Sequence, residues 1–231
     1  MFFNKLPVPA RRSNNANAAG EALEQTLARG VAALGLALPE EAPARLLRYL
    51  DLLARWNRVY NLTAVRDPQQ MVTRHLLDSL AVVPYVRGPR VIDVGSGAGL
   101  PGIPLAVALP DVEFVLLDSS AKKTRFLIQA MSELRLERVS IEHARVEDYR
   151  APRGFNTVVA RAFASLAELV ARAGPLCAHD GRLLALKGAY PEEELAALPV
   201  GYRLAGVYPL HVPGLARERH LIWVVPDPAS S

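Results

Sequence analysis

The chain has 231 residues, a formal net charge of +4 and a hydrophobic fraction of 51%. This composition excludes an intrinsically disordered chain, and the length accommodates one α/β domain with an extension or two small domains. No apolar run is long enough to span a membrane, and the single cysteine excludes an internal disulfide and disfavours a thiolate metal site. We therefore expect a cytoplasmic protein without a metal, whose pI near 9.4 permits a nucleic-acid partner without establishing one.

Composition and periodicity divide the chain into three parts. Residues 1–20 contain no apolar period, which predicts a flexible tail, whereas apolar side chains recur at helical steps over residues 21–86, with one helix over about 69–83. Residues 87–228 alternate short apolar runs with helical stretches, which indicates a doubly wound, mostly parallel sheet with an antiparallel last strand. The seven predicted strands are 90–94, 113–117, 139–142, 157–160, 182–186, 203–208 and 220–225.

The most informative segment follows the first predicted strand. Three glycines stand there at alternate positions, Gly95, Gly97 and Gly99, and Pro101 begins a helix. Glycine lets the backbone turn tightly and approach a ligand, while the N-terminus of the next helix offers unpaired N–H groups. Leu100 stands where the dinucleotide fingerprint has its third glycine, so this GxGxG spacing disfavours a pyrophosphate ligand.

Two acids accompany this loop. Asp93 lies two residues before the first glycine, where a carboxylate favours the cationic end of S-adenosylmethionine over a diphosphate. Asp118 ends the second predicted strand about 20 residues beyond the loop, where ribose hydroxyls are held in both ligand classes. The alternatives are a structural acid for Asp93 and an N-cap of the helix beginning near residue 121 for Asp118. Together with the loop, we favour the ligand interpretation.

Motifs spread along the chain, in order from about residue 23 to 225, resemble one known family. They are NLTAVRDP from Asn61, RHLLDS from Arg74, DVGSGAGLPGIP from Asp93, LLDS from Leu116, RVE from Arg145, RAFASL from Arg161 and ALKG from Ala185. The family is RsmG, once called glucose-inhibited division protein B, whose members are guanine-N7 methyltransferases of small-subunit ribosomal RNA. The resemblance implies a class I, Rossmann-like methyltransferase that methylates N7 of a single guanine, nucleotide 527 in the usual numbering, of 16S ribosomal RNA.

The resemblance also implies a set of contacts to S-adenosylmethionine. They fall on Gly95, Leu100, Val146, Glu147 and Arg161, with Asp118 as the ribose partner. From the residues alone, Leu100 and Val146 could equally be core residues, Glu147 a solvated charge and Arg161 a capping or surface arginine. With Asp93, Gly97 and Gly99, these positions make up the predicted cofactor site.

Methyl transfer to N7 of guanine needs no general base, because N7 already exposes a lone pair on the major-groove edge. The five scattered histidines indicate no triad, and catalysis is expected from alignment of donor and acceptor and from exclusion of water. The positive charge moves from sulfur to the purine during transfer. Arg161 is therefore predicted to act in catalysis by positioning through hydrogen bonds, and not by its charge at the reacting atoms.

The expected partner is 16S ribosomal RNA, free or within the small subunit or its precursor, with no membrane and no obligate protein partner. Lys122, Lys123 and Arg125 are more typical of a solvated helix face, His75 of a packing histidine, and Arg74 could simply pair with Asp78. The residues predicted to contact RNA are Arg66, Arg74, Lys187, Arg217 and Arg219.

Two other functions compete with methyl transfer. One is a nicotinamide-dependent oxidoreductase, which the missing third glycine disfavours. The other is a catalytically inactive RNA-binding factor of ribosome assembly that keeps the fold and the loop.

Overall fold

A computed structural model describes residues 11–161, 163 and 165–227. Its N-terminal part, through Tyr85, is helical, and the helical period of the sequence is confirmed there. The helices are α1 Arg11–Ala33, α2 Ala42–Tyr60, α3 Pro68–Met71 and α4 Asp78–Leu80, with a π-helical segment, Val72–Leu77, joining the last two. Within the described residues, no helix is long and apolar enough to cross a membrane.

The predicted boundaries differ from the structure at the N-terminal end. Residues 1–10 of the predicted tail lie outside the described residues, whereas residues 11–20 belong to α1. This segment has three alanines but also three asparagines and Gly20, so its own helix propensity is moderate, and it extends towards the N-terminus the helix whose apolar period begins at Leu23. The helix predicted over about 69–83 is interrupted by the π-helical segment, which local period alone does not reveal.

All seven predicted strands are present in one sheet. They are β1 Arg90–Val94, β2 Glu113–Asp118, β3 Val139–His143, β4 Phe155–Ala160, β5 Cys177–Lys187, β6 Tyr202–Pro209 and β7 His220–Pro226. β5 begins five residues earlier than predicted, since Cys177 still pairs with Phe155 across a register shift. The order is β3-β2-β1-β4-β5-β7-β6, with the first five strands parallel and β7 antiparallel to both of its neighbours.

Apolar side chains bury both faces of this sheet, as predicted for a doubly wound fold. On one face, Tyr49 of α2 and Phe126 pack with Phe114 of β2, together with α5 Gly102–Ala108 and α6 Ala121–Glu133. On the other face, α7 Leu166–Ala173 covers Phe155 and Val158. The strand order reverses between β1 and β4, and ligands of such sheets bind outside the carboxyl ends of the strands at that point.

Candidate functional site

The glycine loop contains two glycines that face open space and one that packs. Gly95, Gly97 and Gly99 have φ angles of 70°, 60° and 87°, a region that L side chains rarely adopt. A Cβ atom at Gly95 would meet no protein atom within 4 Å, and one at Gly97 only the Gly95 carbonyl oxygen at 3.8 Å. A Cβ at Gly99 would instead lie 2.5 Å from Ile103. Gly95 and Gly97 thus leave room for a ligand, while Gly99 allows the loop to pack on α5.

Asp118 ties this loop to the start of α6. Its Oδ2 accepts a hydrogen bond from the Gly97 N–H at 2.8 Å, and its Oδ1 accepts one from the Ser120 N–H at 2.8 Å. Lys123 Nζ lies 3.4 Å from Oδ2. Ser120, and not Asp118, occupies the N-cap position of α6. Each carboxylate oxygen has two lone pairs, so Oδ2 is fully used by the Gly97 N–H and Lys123, and Oδ1 retains one acceptor site for a ribose hydroxyl.

Asp93 lies beneath the loop and is fully buried. Its Oδ2 accepts a hydrogen bond from the Gly102 N–H at 2.8 Å, which holds the beginning of α5 as the structural alternative anticipated. Its Oδ1 has no hydrogen-bond partner in the part of the chain that the structure describes. Burial raises the pKa of Asp93 from 3.8 to about 7, against the opposing effects of the Gly102 N–H and Arg161.

A cavity of about 390 Å³ opens beside the glycine loop at the carboxyl ends of β1, β2 and β3. It brings together four residues of the predicted cofactor site: Gly95, Asp118, Val146 and Glu147. Leu100 is buried in the core, which matches its alternative interpretation. The volume suits a small-molecule ligand. Asp118 can accept a hydrogen bond from a ribose hydroxyl, Val146 offers an apolar contact for the adenosine, and Gly95 leaves room for the amino-acid part of S-adenosylmethionine. Ser119, Lys123, Phe163 and Arg172 also line the cavity, and the sequence did not single them out as cofactor contacts.

A second cavity of about 450 Å³ opens at the ends of β4 and β5. It gathers four of the predicted RNA-contacting or catalytic cations: Arg74, Arg161, Lys187 and Arg219. Thr63 and His75 also line it. The two remaining predicted RNA contacts lie elsewhere, since Arg66 donates to Asn61 Oδ1 at 2.9 Å and Arg217 lines a neighbouring depression.

The ion pairs of this second cavity differ from the pairing suggested by sequence spacing. Arg74 donates to Gln70 Oε1 at 3.3 Å, and Asp78 binds two other arginines. Arg219 Nε donates to Asp78 Oδ1 at 2.8 Å, and Arg161 Nη1 lies 3.6 Å from Oδ2. Lys187 Nζ likewise lies 2.8 Å from Oε2 of Glu194, an acid that sequence reasoning missed.

His75 is both a packing residue and a wall of the second cavity. It is 4% exposed, and its Nε2 lies 2.9 Å from Thr63 Oγ1. Burial, together with the nearby charge of Arg161, lowers the pKa of His75 to about 4. The ring is therefore neutral at physiological pH, and it lines the cavity in addition to packing as the sequence predicted.

Comparison of the sequence with known proteins finds matches along most of the chain. The GidB family, described as rRNA small subunit methyltransferase G, matches residues 43–222. The ribosomal RNA small subunit methyltransferase G of Alkalilimnicola ehrlichii is 54% identical over 90% of this chain and 95% of its own length. That of Nitrosospira multiformis is 52% identical over 85% of this chain and 94% of its own.

Solved structures of methyltransferases are similar to the fold of this chain, although their sequence identity is much lower. The glycopeptide N-methyltransferase MtfA, complexed with S-adenosyl-L-methionine, has a TM-score of 0.56 at 13% identity over 66% of this chain and 87% of that one. TrmN from Thermus thermophilus has a TM-score of 0.55 at 18% identity over 68% of this chain and 53% of that one. The fold is thus that of the S-adenosylmethionine-dependent methyltransferases. With a family match over residues 43–222, the chain belongs to the rRNA small subunit methyltransferase G family.

Proposed function

We propose that this protein, in the cytoplasm, transfers the methyl group of S-adenosylmethionine to N7 of a single guanine of 16S ribosomal RNA, nucleotide 527 in the usual numbering. The observation that carries this proposal is the pair of cavities at the carboxyl ends of the strands. Phe163 lines the first cavity and Arg161 the second, so the segment that follows β4 borders both. A donor and an acceptor held in the two cavities would meet beside this segment.

The first cavity has the groups that the cofactor requires. Asp118 Oδ1 offers its remaining lone pair to a ribose hydroxyl, while Gly95 and Gly97 leave the backbone open to the amino-acid part. When bound, S-adenosylmethionine supplies a methyl group activated by the positive sulfur. Val146 and Phe163 add apolar walls that exclude water from one side.

The second cavity has the character of a site for an RNA nucleotide. Its guanidinium and ammonium groups can bind phosphates, and it adjoins the segment of Arg161 that borders the cofactor cavity. His75 is neutral, so it adds no positive charge where the purine acquires one. Because N7 reacts through an existing lone pair, this site needs to hold and orient the base but not to remove a proton.

The experiment measures methyl transfer from labelled S-adenosylmethionine to small-subunit RNA from cells that lack this protein. Free 16S RNA and intact small subunits are compared, and the methylated position is mapped by mass spectrometry of nuclease fragments. We expect one N7-methylguanine at the proposed nucleotide. Binding of RNA without transfer to either substrate would favour the inactive assembly factor, and methylation at another atom would refute the proposed acceptor.

A further inference from the structure

Asp78 occupies an unusual position for a carboxylate at the second cavity. Its side chain is 3% exposed, whereas the side chains of the two arginines that it binds, Arg161 and Arg219, are 31% and 21% exposed. Asp78 also lines the cavity, but its carboxylate is almost completely covered, whereas the two cations remain more accessible. Each oxygen engages a different arginine, with Arg219 at 2.8 Å and Arg161 at 3.6 Å.

The three residues come from distant parts of the chain. Asp78 begins α4 directly after the π-helical segment, Arg161 follows β4, and Arg219 precedes β7. One carboxylate thus fixes two guanidinium groups that the fold brings together from separate strand ends. Arginine presents five N–H donors in a planar fork, so the hydrogen bond from Arg219 and the ion pair of Arg161 with Asp78 leave further donors on each side chain for an anion.

We propose that Asp78 is a positioning residue that holds Arg161 and Arg219 as a paired clamp for the phosphate next to the acceptor guanosine. This inference rests on the proposed function, because it identifies the acceptor as part of an RNA strand. A phosphodiester matches the clamp, since guanidinium groups form bidentate hydrogen bonds with phosphate oxygens. A purely stabilising role explains the arrangement less well, because a buried ion pair adds little net stability over an apolar replacement.

The test compares Asp78→Asn with Asp67→Asn as a matched control. Asp67 lies in the same helical region, accepts a hydrogen bond from the Gln70 N–H at 2.8 Å, and can be replaced by asparagine, an equally good capping residue. Three quantities are measured for each variant: kcat and KM for methylation of small subunits, the affinity for S-adenosylmethionine, and the affinity for 16S RNA against salt with S-adenosylhomocysteine present. Melting temperatures report on the fold.

We expect Asp78→Asn to lower kcat at least tenfold, with cofactor affinity within twofold of wild type. RNA affinity at low salt should hold or increase, with a salt dependence steeper by about one unit, because a negative charge beside the two cations is removed. Asp67→Asn should change none of these. An unchanged kcat in Asp78→Asn, or a parallel fall of melting temperature, cofactor affinity and RNA affinity, would overturn the proposal.

Arg219→Lys keeps the test decisive if Asp78→Asn does not fold, and a double variant extends the test if it does fold. Arg219→Lys preserves the charge and a partner for Asp78 but loses the planar fork, so we expect at least a tenfold loss of kcat; wild-type kcat would overturn the clamp. The single variants Asp78→Asn and Arg219→Gln are also combined in a double variant. Its loss of kcat should equal that of the worse single variant, whereas a loss equal to the product of the two single losses would show that Asp78 and Arg219 act independently. The RNA-binding readouts need no methyl transfer, so a wild-type protein that fails to methylate would refute the proposed function separately.

Discussion

Replacement of Gly95 by valine tests the cofactor site against a control that the chain itself provides. Gly95 has φ +70, and a Cβ added there meets no protein atom within 4 Å. Gly35, beyond the end of α1, has φ +67 and equally open surroundings. Both glycines are exposed, so Gly95→Val and Gly35→Val impose the same backbone strain on the protein, but only Gly95 lines the proposed cofactor cavity.

The strain of a left-handed conformation costs about 1–2 kcal/mol for a residue with a side chain. For a chain of this size, that corresponds to a fall in melting temperature of about 2–8 °C in each variant. The added valine side chain at Gly95 would project into the cavity and occupy space that the cofactor needs. We therefore expect similar melting temperatures for the two variants, with a loss of at least about 100-fold in S-adenosylmethionine affinity, about 2.7 kcal/mol, for Gly95→Val alone.

Titration calorimetry gives the affinities and differential scanning calorimetry the melting temperatures. The melting curves show whether each variant is folded, so that a loss of affinity cannot result from unfolding. If Gly95→Val bound S-adenosylmethionine as tightly as Gly35→Val does, the assignment of the glycine loop to the cofactor would be wrong.

Three further predictions address the acids and the basic surface. Asp118→Ala should weaken S-adenosylmethionine binding by about 1.5–3 kcal/mol, the size of a hydrogen bond to a charged group; calorimetry showing lower stability with unchanged affinity would leave Asp118 a purely structural role. Asp93 holds its proton to about pH 7 when folded but only to about 3.8 when unfolded, so the wild-type free energy of unfolding should fall as pH rises from about 4 to about 7. Denaturant titrations of Asp93→Asn should lack this fall, and parallel pH profiles would contradict it. Alanine at Lys187, Arg217 and Arg219 should flatten the salt dependence of RNA binding by about two to three units, and an unchanged slope by fluorescence anisotropy would reject this RNA surface.

The cofactor half of the site could be predicted because its determinants are local in sequence. The glycines, their spacing and Asp118 lie within one strand–loop–helix–strand unit, and parallel strands bring such loops to the same edge of a sheet. The local sequence could not distinguish the residues that contact the cofactor from those that only hold the loop in place. Gly99 and Leu100 pack against the core, and Asp93 holds α5 from below, because the tight turn needs its own packing as well as room for a ligand.

The second cavity, proposed to hold the acceptor nucleotide, is built from residues that are distant in sequence. The sequence predicted only those of its residues whose position follows from the direction of the strands. An antiparallel last strand must begin at the edge where β5 ends, and the pairing of Lys187 with His220 brings Arg219 to this edge. Asp78 required more than strand direction. An α-helical period places Arg74 and Asp78 on one face, but the Asp78 N–H bonds to the Thr73 carbonyl, a π-helical step that changes the relation between the two side chains. The informative signal was the chemistry of the position: an acid among Leu76, Leu77 and Leu80 is buried with its helix and therefore needs cationic partners from elsewhere in the fold.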